Sequence, residues 1–255
     1  MSTKKVSSAK KILGPKKTVN RYHFSTSMVA PNAQPSSILV IDVGGTHIKI
    51  LGTDCDAPRK FDSGPKMSPD QMVAGVLELA KGWDYNAVSI GYPGPVFHGK
   101  PIGEPHNLGT GWVGFDFAIA LKAPVRLVND AAMQAIGCYR GGKMLFLGLG
   151  TGLGSCMIAD GYVESMELGH MPYKKHNYEY YVGKDGRSRL GRKQWQKHVE
   201  NVLSILRDGL EPEYIVVGGG NSKDLDDLPK DCSVGENADA FTGGYRLWQN
   251  PPKVT

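Results

Sequence analysis

The stretch ILVIDVGGTHIKIL, residues 38–51, carries the strongest structural signal in the chain. Residues 38–41 are continuously apolar, a pattern typical of a β-strand that is covered on both faces. Residues 42–46 have the composition of a turn, and residues 47–51 alternate like a second strand. The stretch therefore predicts a β-hairpin with two glycines in its turn.

The same pattern returns in the second half of the chain. Residues 144–149 are an apolar strand, residues 150–152 read Gly-Thr-Gly, and residues 153–159 are predicted to return as a strand. Each half thus opens with a strand, a glycine turn and a strand. We therefore predict an α/β fold of two lobes with a cleft between them, since ligands bind in such clefts.

Apolar spacing and turn residues predict the remaining elements. Further strands are predicted at residues 87–90, 125–128 and 214–217. Helices are predicted at residues 69–82, 131–139, 192–209 and 236–248. The predicted organisation is a basic disordered tail (1–37), an N-terminal α/β lobe (38–140), a C-terminal α/β lobe (141–235) and a C-terminal helical segment that returns to the N-terminal lobe (236–255).

The composition is that of a globular protein, with 40% hydrophobic and 22% charged residues among 255. No apolar run approaches the ~18 residues that a membrane-spanning helix needs. The four cysteines are far apart and lack zinc-ligand spacing, which argues against a disulfide scaffold or a zinc ribbon. A reducing, cytoplasmic location is the expectation.

The net charge of +5 comes from the tail. Residues 1–37 contain seven lysines and arginines and no acidic residue, so +5 minus +7 leaves −2 for residues 38–255. This tail can be a disordered arm, a transit peptide, or a leader ahead of a true start at Met28. A signal peptide is disfavoured because no apolar stretch of about 7–15 residues follows the lysines.

Neither glycine cluster is a familiar phosphate loop. No GxxxxGK[ST] motif occurs, and the GxGxG at residues 148–152 is followed by a strand, whereas a dinucleotide fingerprint requires a helix. A glycine-rich hairpin turn can have a purely structural role, or it can offer backbone N–H groups to an anion. Two equivalent turns, each with a threonine, favour phosphate binding.

Polar residues at two other places are candidates for chemistry. Asn129 and Asp130 follow a predicted strand, where a carboxylate can serve as a general base but where both residue types also cap helices. Glu167 and His170 bring an acid and an imidazole together, which can form a site or a structural hydrogen bond.

In seven segments the chain resembles the ROK sugar kinases of the actin–hexokinase superfamily, and among these their polyphosphate glucokinase branch. The segments fall in family order between residue 38 and about residue 248. They are IDVGGTHIK (41–49), GYPGPV (91–96), NLGTGW (107–112), VNDA (128–131), LGLGTGLGS (147–155), ELGH (167–170) and VVGGGNSK (216–223).

The resemblance implies a two-lobe actin/hexokinase-like (ribonuclease H-like) fold with an interlobe cleft, and it implies roles for individual residues. Asp130 matches the catalytic base. The positions that match sugar-binding residues are Asn107, Asn129, Glu167, His170 and Glu179. The positions that match phosphate- or donor-binding residues are Asp42, Gly44, Gly45, Thr46, Lys49, Gly150, Thr151, Gly152, Gly218, Gly219 and Gly220. Asp42 also matches the position near Mg²⁺.

The chain departs from many ROK proteins after the ELGH motif. Those proteins continue with a CxCGxxGC zinc motif, but residues 171–190 contain no cysteine. We therefore expect no zinc site, and what orients His170 in its place is an open question.

A basic cluster, defined by eight lysines and arginines between residues 174 and 197, bears on the phosphoryl donor. It can be a solvated face or a track for a polyanion. Its members are Lys174, Lys175, Lys184, Arg187, Arg189, Arg192, Lys193 and Lys197.

The resemblance implies a kinase that transfers a phosphoryl group from polyphosphate, ATP or both to the 6-hydroxyl of glucose or a related hexose, with Mg²⁺ as cofactor. The alternative is a non-catalytic sugar-binding or regulatory member of the same family. A repressor is disfavoured because a winged-helix domain of about 60–80 residues does not fit in the tail. The expected partners are a hexose, a polyanionic donor and a second copy of the chain in a homodimer, with no membrane and no specific nucleic acid.

Overall fold

The structure is a computed structural model that describes residues 34–236, 238–249 and 253–254. Most of the predicted basic tail, residues 1–33, lies outside the described residues. Residues 34–37 contact the folded body: Ser37 Oγ donates to the carbonyl of Asp84 at 2.6 Å, and Gln34 Nε2 donates to that of Gln249 at 2.9 Å. The folded region therefore includes the last four residues of the predicted tail.

The described chain alternates strands and helices. The strands are β1 (Ile38–Val43), β2 (His47–Gly52), β3 (Arg59–Asp62), β4 (Ala87–Tyr92), β5 (Val96–Phe97), β6 (Lys100–Pro101), β7 (Val125–Asn129), β8 (Lys143–Leu149), β9 (Leu153–Ala159), β10 (Tyr162–Met166), β11 (Pro172–Tyr173), β12 (His176–Asn177), β13 (Tyr214–Gly218), β14 (Cys232–Val234) and β15 (Lys253–Val254). The α-helices are α1 (Pro69–Leu79), α2 (Phe117–Leu121), α3 (Asp130–Cys138), α4 (Tyr178–Val182), α5 (Lys184–Leu190), α6 (Arg192–Leu210) and α7 (Asp239–Gln249). Two 3-10 helices cover Leu168–His170 and Ser222–Asp224.

Both predicted hairpins form, and each lies within its own sheet. The first sheet has the order β3-β2-β1-β4-β7, and the second has the order β14-β13-β8-β9-β10-β15. In the first, β1 is antiparallel to β2 and parallel to β4, which is itself parallel to β7. In the second, β8 is antiparallel to β9 and parallel to β13. None of the helices in the described residues is long and apolar enough to cross a membrane.

The apolar run at the start of β1 is explained by helices on both faces of its sheet. Ile38 and Val40 lie in a core that the two sheets share with α3 and α7, whereas Leu39 and Ile41 lie in a core with α1 and α2. The second sheet is covered in the same way, by α3 and α7 on one face and by α4, α5 and α6 on the other. The molecule is therefore layered, with α3 and α7 between the two sheets.

Local sequence signals fix several element ends. Ser68 caps α1 in a reciprocal capping box with Gln71. The turn between β9 and β10 places Asp160 and Gly161 at φ values of 50° and 82°, as expected for a two-residue hairpin loop. The predicted helix at 69–82 ends early, at Leu79, because the chain turns away before Gly82, which has a φ of 80°.

Helices α3 and α7 cross with their backbones in direct contact. A Cβ atom at Gly137 would overlap the carbonyl oxygen of Asp239, and one at Gly243 would overlap that of Met133. Gly244 packs in the same way against the Val40 side chain. Glycine is therefore required where the two helices meet each other and the first sheet.

We expect Gly137→Ala to destabilise the protein by about 3 kcal/mol or more, because the new methyl group must separate α3 from α7. The matched control is Gly209→Ala on α6, where a Cβ meets nothing within 4 Å. That change should stabilise the helix by up to about 1 kcal/mol. Urea denaturation of both variants measures the difference, and equal effects would contradict the close crossing.

Candidate functional site

Asn107, Glu167 and Glu179 stand on other segments, but most of the predicted site residues lie at the carboxyl ends of β1, β7, β8 and β13. These are strands of both sheets, and ligands of open α/β sheets bind beyond this end of the strands. The first turn of α3 contacts both sheets here. A Cβ at Gly154 of β9 would come 2.9 Å from Ala131 Cβ in the first turn of α3, and one at Gly91 of β4 would come 3.5 Å from Asp130 Cα.

The capping role that the sequence left open belongs to Asn129. Asn129 is the N-cap of α3: its Oδ1 accepts from the N–H groups of Ala131 at 3.0 Å and Ala132 at 3.2 Å. Its Nδ2 donates to the carbonyl of Gly94 at 3.1 Å, which ties the GYPGPV segment to this point. Asp130 is then the first residue of the helix, and its Oδ1 accepts from the Ala131 N–H at 2.8 Å.

Asp130 is electrostatically distinct. Burial of its carboxylate, with a smaller contribution from the nearby carboxylates of Asp42 and Glu167, raises its pKa to about 7 despite the lowering effect of the Ala131 N–H. Three acidic residues that are far apart in the sequence thus lie close enough to influence one another. A carboxylate with a pKa near neutrality suits a proton acceptor.

The first glycine turn is held by contacts from both sides. Asp42 and Lys49 face each other across the hairpin and form an ion pair of 3.1 Å, in which Asp42 is 13% exposed. Ser63 donates through its hydroxyl to the carbonyl of Gly44 at 2.6 Å. A Cβ at Gly45 would come 2.8 Å from Asn107 Cβ, so the turn contacts a predicted sugar-binding residue. Thr46 lies exposed at its tip.

The second glycine turn packs against two other segments. The Gly150 N–H bonds inside the turn, to the carbonyls of Gly148 and Gly152, at 3.1 and 3.3 Å. The Gly150 carbonyl accepts from the backbone of Lys184 and from Asn221 Nδ2, both at 3.1 Å. Thr151, in the middle of the turn, is exposed.

The ELGH segment is positioned by a buried hydroxyl. Ser155, 1% exposed, donates to the carbonyl of Met166 at 2.7 Å and accepts from the N–H of Leu168 at 3.1 Å. Its two bonds lie on either side of Glu167, whose carboxylate is 3.7 Å from His170 Nε2. Both of these side chains are more than half exposed, at 60% and 55%.

Glu179 joins the ELGH segment to the second turn. It lies in the first turn of α4, and its carboxylate would overlap a Cβ at Gly152 and lie 3.5 Å from one at Gly169. The structure thus brings Glu179 to the same place as the other predicted residues of this lobe.

The loop after β13 (residues 219–226), called the post-β13 loop, lies against the second glycine turn. A Cβ at Gly219, where φ is 83°, would come within 2.6 Å of the Leu149 backbone. The Asn221 N–H donates to the carbonyl of Leu149 at 3.0 Å. Gly218, Gly219 and Gly220 are therefore adjacent to Gly150, Thr151 and Gly152, because β8 and β13 are neighbouring parallel strands.

Sequence reasoning missed several residues that organise the site. Ser155 and Asn221 lie inside two of the quoted motifs, and that position is the sequence signal that could have identified them. The sequence predicts that Arg187 and Arg192, as members of the basic cluster, are solvated or donor-binding. In the structure they pair with Asp224 and Asp226. Nothing in the sequence indicates these partners.

The chain is similar in sequence to polyphosphate glucokinases. The chain is 26% identical over 208 residues to polyphosphate glucokinase of Mycobacterium leprae (strain TN), covering 73% of this chain and 64% of that protein, so it spans less than two thirds of that relative. It is 26% identical over 216 residues to polyphosphate glucokinase of Mycobacterium tuberculosis (strain CDC 1551 / Oshkosh), covering 73% of this chain and 78% of that protein. No protein-family model matches.

Two solved structures are similar over most of their length. Inorganic polyphosphate/ATP-glucomannokinase from Arthrobacter sp. strain KM superposes with a TM-score of 0.74 at 24% identity, covering 85% of this chain and 99% of that chain. A ROK family glucokinase from Streptomyces griseus, solved with glucose and AMPPNP, gives a TM-score of 0.68 at 18% identity, covering 84% of this chain and 99% of that chain.

The chain has the fold of the ROK sugar kinases. The resemblance predicted from seven motifs and the predicted two-lobe α/β architecture are both confirmed. In this ROK fold most of the predicted site residues lie at the carboxyl ends of strands from both sheets.

The raised pKa of Asp130 predicts a pH-dependent stability. Because the pKa of Asp130 in the folded protein, about 7, exceeds that of the unfolded chain, the contribution of this group to stability is complete below about pH 4 and is lost as the pH rises through about 7. We expect Asp130→Asn, which cannot ionise, to gain stability relative to the wild type between about pH 4 and about pH 7, and to hold that gain above.

Urea denaturation at several pH values measures this difference. Asp208→Asn, at an exposed position of α6, controls for the loss of one carboxylate. A gap between Asp130→Asn and the wild type that stays constant with pH would contradict the raised pKa.

Proposed function

We propose that the protein is a sugar kinase that transfers a phosphoryl group from polyphosphate or ATP to the 6-hydroxyl of glucose, with Asp130 as the general base. The observation that carries the proposal is the Asp130 carboxylate, which has a pKa of about 7. It lies at the end of β7 beside the glycine turn of β1 and β2. The names of the similar proteins support the choice of reaction.

The sugar side of the proposed site consists of Asn107, Asn129, Glu167, His170 and Glu179. Carboxylate, amide and imidazole groups can accept and donate hydrogen bonds to several hydroxyls in a fixed arrangement. Ser155 and the α3 cap support the proposal because they fix the backbone on which Glu167 and Asn129 stand.

In the proposed reaction, Asp130 accepts the proton of the sugar hydroxyl as the hydroxyl oxygen attacks the terminal phosphorus. The bond between that phosphorus and the bridging oxygen of the donor breaks, and the donor leaves one phosphate shorter. Such transfers depend on positioning and on charge neutralisation more than on covalent chemistry with the protein.

The residues present fit a Mg²⁺ ion that arrives with the donor. Within the described residues, no three His, Cys, Asp or Glu side chains are grouped to hold a metal by themselves. Mg²⁺ in kinases commonly uses one or two carboxylates plus phosphate oxygens and water. Asp42, with Asp130 nearby, supplies this kind of set, and the bound ion would neutralise charge on the phosphates.

The phosphates are proposed to lie at the two glycine turns. On the first turn, the Gly44 N–H is used internally, so Lys49 is proposed to supply positive charge and the backbone of Gly45 and Thr46 to supply N–H groups. On the second turn, the Gly150 N–H is used internally, so Thr151 and Gly152 are the proposed donors.

We expect Asp130→Asn to lower kcat with glucose by about 10²- to 10⁴-fold, because the amide keeps the shape and cannot take a proton. In the wild type, kcat/KM for glucose should fall about tenfold per pH unit below about pH 7, as Asp130 becomes protonated. A coupled assay for glucose 6-phosphate measures both. Normal turnover in a folded Asp130→Asn protein would refute the base, and absence of turnover in the wild type would favour a non-catalytic sugar-binding protein.

Lys184 tests the choice of donor. It is exposed, and its backbone N–H bonds to the carbonyls of Gly150 and Thr151 at 3.1 and 3.2 Å, so its charge lies beside the second turn. We expect Lys184→Gln to raise KM for polyphosphate about three- to tenfold and to flatten its salt dependence, with less effect on ATP, because a long polyanion contacts more cations.

Measuring KM for both donors at low and moderate salt checks this, and Lys60→Gln, exposed on β3, is the control for loss of one positive charge. An unchanged KM for polyphosphate would mean that Lys184 is a solvated residue that does not contact the donor.

A further inference from the structure

Two arginines at the ends of α5 and α6 hold the post-β13 loop. Arg187 Nε lies 2.9 Å from Asp224 Oδ2, and these side chains are only 34% and 25% exposed. Arg192 donates through Nε to the Asp224 carbonyl at 2.8 Å and pairs through its other nitrogen with Asp226. Asp224 therefore pairs with Arg187 through its carboxylate and accepts a hydrogen bond from Arg192 through its backbone carbonyl.

The opposite side of the same loop is fixed to the second glycine turn. Asn221 bonds to that turn through its backbone and its side chain, at 3.0 and 3.1 Å. Ser222, 4% exposed, donates its hydroxyl to the carbonyl of Gly219 at 2.8 Å and closes the loop on itself. The loop is thus held between the turn and the two arginines.

Helix α5 completes a closed ring of contacts. Its first residue, Lys184, bonds through its N–H to the second turn, while Arg187, one helical turn later, binds Asp224. Gly183, just before α5, packs so closely that a Cβ would come 2.7 Å from the Thr151 carbonyl oxygen. The turn, α5 and the post-β13 loop are therefore each in contact with the other two.

We propose that Arg187 and Arg192 are positioning residues, which hold the post-β13 loop against the second glycine turn and do not bind the phosphoryl donor themselves. The inference rests on the proposed function, since the loop matters for catalysis only if a donor phosphate lies there. It removes two of the eight cations of the basic cluster from any polyanion track, because Asp224 and Asp226 already neutralise them.

The acidic partner distinguishes positioning from donor binding. If Arg187 bound the donor, Asp224→Asn would free its charge and lower KM for polyphosphate. If Arg187 positions the loop, Arg187→Gln and Asp224→Asn both loosen it and both raise the donor KM. The two roles therefore predict opposite signs for the same variant.

The experiment measures KM for ATP, polyphosphate and glucose in Arg187→Gln, Asp224→Asn and the double variant. We expect each single variant to raise KM for both donors about three- to tenfold, with KM for glucose unchanged. The double variant should be no worse than the worse single one, because the two residues share one interaction. Hydrogen exchange at the N–H groups of residues 221–225 should be faster in all three variants.

Each control removes one charge, negative or positive, from a residue outside this contact. Asp227→Asn changes the exposed neighbour of Asp226, and Lys193→Gln changes the exposed neighbour of Arg192. We expect both to keep the wild-type hydrogen exchange and KM for ATP.

A lower polyphosphate KM in Asp224→Asn would overturn the proposal, as would unchanged exchange in the loop or faster exchange without a change in donor KM. If the wild type turns over no glucose with either donor, the proposed function fails, while the exchange measurement still decides whether the arginines hold the loop.

Discussion

The close crossing of α3 and α7 is the constraint on which the cleft depends. These helices lie between the two sheets, and they touch backbone to backbone at Gly137 and Gly243. Gly244 presses on Val40 of β1, so the crossing also fixes the distance from the helices to the first sheet. A residue with any side chain at these positions would separate the layers and change the spacing between the sheets.

Helix α3 transmits this constraint to the site, because both of its ends are fixed. Asn129 caps its N-terminus, and Arg246 of α7 donates to the carbonyls of Ile136 and Gly137 at its C-terminus, at 2.7 and 2.8 Å. Asp130, at the first position of α3, therefore has its place set by the crossing at the other end of the helix. The raised pKa of Asp130 follows from that place, and it reduces stability at neutral pH.

The sequence predicted the parts of the fold that repeat a regular pattern. The hairpins at β1–β2 and β8–β9 and the long helix α6 were predicted almost to the residue, because their apolar periodicity is strong. The short elements β3, α2, α4 and α5 were missed, since four to seven residues hold too little periodicity. The motifs predict the candidate site residues, but the pairing of Arg187 with Asp224 depends on two segments that meet only in the folded chain.

The choice between cap and base at β7 shows where sequence reasoning stops. Both readings of Asn129-Asp130 are consistent with residue type and spacing. The structure gives the cap to Asn129 and leaves Asp130 as the residue with the perturbed pKa, so Asp130 is the one that stays a candidate base. Burial of the Asp130 carboxylate, together with the nearby Asp42 and Glu167, creates that difference, and all of these depend on the folded chain.

The segment after Glu167 has no cysteines, and polar and aromatic packing supplies its order. Tyr173 hydrogen bonds to His198 of α6 through its hydroxyl at 3.1 Å, and its ring lies 5.4 Å from that of Tyr178. The Tyr178 N–H donates to the carbonyl of Met171, next to His170, at 3.1 Å. Together with Ser155, these contacts fix the backbone on both sides of the exposed Glu167 and His170 side chains. A buried hydroxyl and an aromatic cluster can thus orient a polar segment that metal ligands would otherwise hold, because they fix the backbone on both sides of it.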